Sequence, residues 1–331
     1  MADHAEDDGN NDVFVYMGGD QRVPRDVTHV RIHESVKIIT RYAFRNCRNL
    51  VSIEMHDGVE IIEREAFSCC TSLRRIKLAG VRVIEQRAFY ECKALTDVEF
   101  GDKLETIGQY AFQCCTSLTK IILPTVSVIK AGAFKSCDRL TDADLSEDLE
   151  KIGSSAFYCR RLRRITIPLK ANMIGYYDDA FNCEELVTIE LVKSVHKTLA
   201  SFHFESWKIQ MIQQINRVNQ VLLTTPAGSK TTAIAQWMET IHRRFIHYKK
   251  EHNKLLKVAT SLLELALWKA KLNEKEYDND SDSTKKLVHA KKKSKIDFEG
   301  ARQQKRITSG AAMSVVIKNV LPFLKLEEST T

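Results

Sequence analysis

The chain contains no apolar run of about 18 residues, the least that a membrane-spanning helix needs, so no transmembrane segment is expected. Its first residues, MADHAEDDGNND, are acidic and polar and lack the basic start and apolar stretch of a secretory signal. An intracellular setting, cytoplasmic or nuclear, follows as the expectation. Cysteine is missing altogether after Cys183. No pair of the nine cysteines has C-x2-C spacing with a second pair or histidines converging on it, which argues against a zinc site.

Signatures of catalysis are equally scarce. TTPAGSKTT, residues 224–232, brings Gly, Lys and Thr together. It fails as a phosphate loop because Ser229 separates Gly228 from Lys230, Leu223 stands where the first glycine belongs, and no strand precedes it. The stretch reads instead as a helix–helix turn with Ser229 as N-cap. His33-Glu34 meets Lys37 where a HExxH site needs its second ligand, and His242 and His247 are five apart. With no nucleophile–base pairing visible, neither a catalytic residue nor a cofactor is expected, and the chain is expected not to be an enzyme.

What the sequence does have is one pattern written repeatedly. Val59 to Leu78, VEIIEREAFSCCTSLRRIKL, carries the frame apolar-x-x-Ile-x-x-x-Ala-Phe-x-x-Cys-x-x-Leu-x-x-Ile-x-Leu. The Ala-Phe pair recurs with Phe at 44, 67, 89, 112, 134, 157 and 181, always 22 to 24 residues apart. A unit of that size cannot bury its apolar face alone and must stack on its neighbours, so a solenoid is predicted. Leu73-x-x-Ile76-x-Leu78 alternates with the period of a short strand, which turns Arg75 and Lys77 outward. The chain then returns over the opposite side through Ile62, Ala66, Phe67 and Cys70, and the Phe residues are expected to stack into a spine. Coils six and seven drift: Cys159 and Cys183 follow Phe by two residues rather than three, and Ala171 replaces the usual Val or Leu.

This frame, with Ile four residues before Ala in most copies, resembles the BspA-like branch of leucine-rich repeats over roughly Val27 to Leu191. The resemblance implies an α/β-type leucine-rich repeat solenoid, right-handed, with one short strand per coil in a parallel sheet, here followed by an α-helical C-terminal region. It implies protein–protein recognition or adhesion and no enzymatic activity. Frame cysteines stacked about 5 Å apart from coil to coil read as a column of small buried groups, with Cys69 and Cys114 too far apart to bridge.

Charge is divided unevenly. Residues 1–192 carry 25 basic and 30 acidic side chains, and the remainder carry 25 and 13, so the overall +7 combines −5 with +12. After Leu191 the apolar period becomes helical: Phe204, Trp207, Met211, Ile215, Val218 and Leu222 share one face, and Phe202, Phe204 and Trp207 are expected to cover the open end of the last coil. A second pattern starts near Ile234, and no Gly or Pro occurs from residue 231 until Gly300. A helix over 231–272 would run about 60 Å, so it either breaks or bends in HYKKEHN or projects past the solenoid; a break or bend is the expectation. The predicted organisation is a disordered N-terminus and cap (1–26), the solenoid (27–192), a capping helical hairpin (193–273), a charged linker and basic segment (274–308), and a C-terminal helix and tail (309–331).

The function read from this pattern is a non-catalytic scaffold that binds a protein partner through the strand face. One outward column runs Ser52, Arg75, Asp97, Lys120, Asp142, Arg164, Thr188, alternating in sign over five rungs. The other runs Glu54, Lys77, Glu99, Ile122, Asp144, Thr166, Glu190, and its apolar member Ile122 marks the expected contact centre. The alternative is an anionic partner, RNA or a membrane surface, held by Lys285, Lys286, Lys291, Lys292, Lys293 and Lys295. That run also fits a nuclear-import signal, and without interleaved aromatics it is a poor nucleic-acid binder.

Overall fold

The computed structural model describes residues 13–175 and 179–284. In chain order the strands are β1 (Val13–Tyr16), β2 (His29–Ile32), β3 (Ile38–Ile39), β4 (Ser52–Glu54), β5 (Ile61–Ile62), β6 (Arg75–Leu78), β7 (Val83–Ile84) and β8 (Asp97–Phe100). They continue as β9 (Thr106–Ile107), β10 (Lys120–Ile122), β11 (Val128–Ile129), β12 (Asp142–Asp144), β13 (Lys151–Ile152), β14 (Arg164–Ile167) and β15 (Thr188–Leu191). Helices α1 (Lys193–Ser201), α2 (Glu205–Thr224) and α3 (Ala227–Thr284) follow. Of the described residues, 13–199 with 209–244 form one compact unit and 200–208 with 245–284 another.

The first unit is a parallel β-solenoid in which each coil places the frame as its alternation requires. Ile76 and Leu78 point inward and are buried, while Arg75 and Lys77 point outward and are exposed. The seven frame Phe residues are all fully buried and stack ring on ring, with centroids 5.0 to 5.8 Å apart and interplanar angles of 17° or less. Burying a phenylalanine side chain contributes roughly 1.5–3 kcal/mol, so this spine is a large part of the core. Tyr16 lies across its N-terminal end, 5.0 Å from Phe44 and tilted by 59°.

Each of the first six coils has a second strand that the sequence does not separate from the returning arc. The two-residue strands β3, β5, β7, β9, β11 and β13 form their own six-stranded parallel ribbon. The longer strands form three ladders, β1-β2-β4, β6-β8 and β10-β12-β14-β15, rather than one unbroken sheet.

The arcs are successions of turns closed by a further set of inter-coil bonds. Residues two before and two after Phe are left-handed: Tyr42, Asn46, Glu65, Cys69, Arg87, Glu91, Tyr110, Cys114, Ser136 and Ser155 have φ between 52° and 63°. Left-handed geometry is costly for residues with a Cβ. Here it is held in place because these residues give their N–H to the next coil, as in Glu65 to Gln86 O (3.0 Å) and Cys69 to Tyr90 O (2.7 Å). Between them Phe67 donates to Ala88 O at 2.8 Å, and the same bond recurs from coil to coil. Coil six, where Cys159 comes one residue early, lacks the second left-handed residue, so the sequence drift is the deletion of that position.

The C-terminal helices differ from expectation in two places. The helix–helix turn is Thr225-Pro226, with α3 starting at Ala227, so Ser229 lies inside the first turn and is not the N-cap. Pro226 takes the helix start, where its missing N–H costs nothing. α3 is also unbroken through HYKKEHN and runs on through the acidic segment 274–283 that was expected to be a linker. No Gly or Pro stops it, and Lys and Glu are good helix formers. The basic segment 285–295 and the expected C-terminal helix and tail over 309–331 lie outside the described residues.

Candidate functional site

The residues of both outward columns stand on the longer strands of the solenoid. Arg75 pairs in register with Asp97 and Lys77 with Glu99; Lys120 pairs with Asp142 and Ile122 with Asp144; Asp142 pairs in turn with Arg164. Register does not by itself make ion pairs. Arg75–Asp97 and Lys120–Asp142 form none, and Lys120 reaches diagonally instead, its Nζ 3.7 Å from Asp144. Lys77 and Glu99 lie 3.7 Å apart with both side chains more than half exposed, a pairing worth little.

Arg164 is the organising group of this face. Its Nε donates to Asp142 (3.1 Å), Nη2 to Asp144 (2.8 Å), and Nη1 to Glu190 (3.1 Å) and to the Thr166 hydroxyl (2.9 Å). The Thr166 hydroxyl in turn donates a hydrogen bond to Asp144 at 3.0 Å. The Arg164 side chain is only 28 % exposed, so these charge-assisted bonds are stronger than those at the open surface. Thr141 also donates to Asp142 (2.7 Å). That hydroxyl first, then Arg164, holds the Asp142 carboxyl below its ordinary pKa. Glu190 and Thr166 stand in the second outward column, but charge alternation alone does not reveal that they share one arginine.

Ile122 borders this network. It is 54 % exposed, an apolar side chain in the middle of a strand face with Asp144 beside it and Lys120 one position away on the same face. The face therefore offers an apolar contact next to a hydrogen-bonded charged patch with both signs present.

The core thiols do more than fill space. All nine cysteines are free, and the seven frame thiols are buried. From the second coil on, each donates to the carbonyl of the preceding coil's Phe, as in Cys70 to Phe44 (3.1 Å) and Cys159 to Phe134 (2.9 Å). Burial pushes these thiols above their ordinary pKa, which keeps them protonated as donors. Cys69 and Cys114 sit at left-handed positions and are half-buried.

At the C-terminal end of the solenoid three polar side chains of α2 and α3 bond to the backbone of the last coil, beside buried Met211, Ile215, Val218 and Leu222. Asn219 accepts from Ile189 N (2.8 Å) and donates to Ile189 O (3.4 Å). The Thr231 hydroxyl accepts from Phe181 N (2.8 Å), where inner coils use the next Ala carbonyl. Lys230 Nζ donates to the carbonyls of Glu184 and Leu186, both at 2.7 Å. The residues that resembled a phosphate loop are thus structural. Phe202 and Trp207 pack in the second unit, with Phe245, Tyr248 and His252 around Phe202 and Trp207 stacked on Tyr248. Their helical spacing was visible; their choice of neighbours was not.

Among the described residues no helix is long and apolar enough to cross a membrane, and no group of three potential ligands converges as a metal site.

The chain matches the BspA type leucine rich repeat region over residues 24–126 and 105–224. Among solved structures it is similar to a leucine-rich repeat protein from Bacteroides ovatus (24 % identity, TM-score 0.42), covering 52 % of this chain and 48 % of that one. It is also similar to the Treponema pallidum leucine rich repeat protein (24 % identity, TM-score 0.36), covering 53 % of this chain and 83 % of that one. A leucine rich cell surface protein from Faecalibacterium prausnitzii shares 18 % identity over 51 % of this chain and 80 % of that one, with a TM-score of 0.22. The chain thus spans about half of the Bacteroides protein. No curated protein matches it in sequence. The repeat match takes in more than half of the chain, and the seven stacked coils carry the same frame, so the chain belongs to the BspA-type leucine-rich repeat family.

Proposed function

We propose that this protein is a non-catalytic scaffold whose strand face binds a protein partner, with Ile122 at the contact centre. The observation that carries this reading is the exposure of Ile122 beside the fixed Arg164 cluster. An apolar anchor flanked by pre-set charges is the makeup of a binding hot spot. Arg75, Lys77, Asp97, Glu99, Lys120, Asp142 and Asp144 surround it with both signs, which favours a partner of matching pattern over a uniformly charged one. A cytoplasmic or nuclear location is part of the proposal, supported by nine free thiols of the kind a reducing compartment preserves.

The test uses the full chain as bait at moderate and high salt, with Ile122→Asp alongside. Loss of specific capture in the variant with retained folding supports the strand face. Capture that is indifferent to Ile122→Asp but abolished by salt supports the second reading, an anionic partner held by the basic residues 285–295.

A further inference from the structure

We propose that the rim leading into the strands of coils four to six binds a phosphate group borne on a serine or threonine of a protein partner. Thr116, Ser117, Asp138, Arg139, Arg160 and Arg161 line an open cleft of about 530 Å³ there. The pairing of Lys120 with Asp142 and of Asp142 with Arg164 fixes how these rims stack. By the same offsets Ser117, Arg139 and Arg161 form one column, and Thr116, Asp138 and Arg160 the other.

The two columns differ in charge balance. In the second, Arg160 stands between Asp138 and Glu184 and pairs with Glu184 at 3.2 Å. In the first, Arg139 and Arg161 are direct neighbours about 5 Å apart along the stack, like charges that repel. Neither forms an ion pair among the described residues, and both are exposed. The next acid in that column, Glu185, is engaged by Arg163 at 2.7 Å. An anion between Arg139 and Arg161 would turn the repulsion into two attractions, with the Thr116 and Ser117 hydroxyls as further donors.

A phosphomonoester fits this set better than a carboxylate. It carries close to two charges at neutral pH and offers three oxygens, enough for two guanidinium forks and a hydroxyl together. Asp138 in the same cleft opposes any anion, so a ligand gains from entering only when it engages more than one arginine. The proposal takes the solenoid as a protein-binding scaffold, but it does not use the strand-face contact at Ile122.

The experiment titrates the full chain with a labelled Gly-Gly-phosphoserine-Gly-Gly peptide, with its serine and glutamate counterparts and inorganic phosphate as controls. The expected result is binding of the phosphopeptide alone, weakened about tenfold or more in Arg139→Gln/Arg161→Gln, as for losing bonds to a charged group. Asp138→Asn should tighten it, and Ile122→Asp should leave it unchanged, so the two surfaces fail or stand separately. Melting temperatures show that each variant is folded. The proposal is overturned if the double variant binds as the wild type does, or if the serine or glutamate peptide binds equally. It is also overturned if inorganic phosphate binds as tightly as the peptide, which would make the ligand a free anion.

Discussion

Asn219 meets Ile189 as a neighbouring strand would, accepting its N–H at 2.8 Å and donating to its carbonyl at 3.4 Å. One side-chain carboxamide therefore satisfies both backbone groups of Ile189 on the outer edge of β15. The other end of the solenoid uses the same device: Gln21 accepts from Met17 N (2.6 Å) and donates to Val15 O (3.2 Å) at the edge of β1. Unprotected edges invite pairing with another chain. Asn219→Leu should lower unfolding free energy by about 1–3 kcal/mol, the cost of stranding buried backbone groups, and should promote self-association. Denaturant titration and light scattering measure both; a variant as stable and monomeric as the wild type would refute the role assigned to Asn219.

Thr231 offers a sharper version of the same question, because its hydroxyl can be removed or kept at nearly constant volume. Thr231→Val leaves Phe181 N–H unpaired and should cost about 1–3 kcal/mol, whereas Thr231→Ser should cost less. Equal effects would mean that packing and not the hydrogen bond is what matters.

How much of this was legible depends on periodicity. The Phe spine, the cysteine column and the outward Ile122 all follow from positions that recur every 22 to 24 residues. The ribbon of two-residue strands was hidden because so short a strand has no alternation to detect. Left-handed Tyr42, Arg87 and Cys114 gave no sign either, since glycine, the usual marker, stands at that position only as Gly132. The cap was hidden for another reason: Asn219, Lys230 and Thr231 are single polar residues in helices, and their partners are backbone atoms. At the strand face, alternation supplies signs but not reach: Lys120 extends past its own column to Asp144 in the other.

Thiol accessibility separates the two kinds of cysteine. Native-state alkylation should modify Cys69 and Cys114, which are half-buried, and spare the seven buried frame thiols until the chain unfolds. Mass spectrometry of the modified peptides reads this directly, and early labelling of Cys92 or Cys115 would contradict the packed column.

The aromatic cluster of the second unit should respond to acid. His252 Nδ1 accepts from His203 N at 3.3 Å. Burial first, then Lys208 for His203 and His203 for His252, holds both imidazoles below the ordinary value of 6.5. Groups with depressed folded pKa values lend stability above their unfolded value and lose it as pH falls through the folded one. Stability of this cluster should therefore be full above pH 6.5 and decline below it. Trp207 stacks on Tyr248 and reports the change by fluorescence in a Trp237→Phe, Trp268→Phe background. His252→Asn should flatten the profile; an unaltered acid transition in that variant would point to other groups.

The central claim, that the strand face recognises a protein, is tested most directly by calorimetric titration of a purified partner into wild type and Ile122→Asp. A central contact is worth about 2 kcal/mol or more, so the variant should bind about thirtyfold more weakly, with an unchanged melting temperature. Equal affinity for the two proteins would contradict the account.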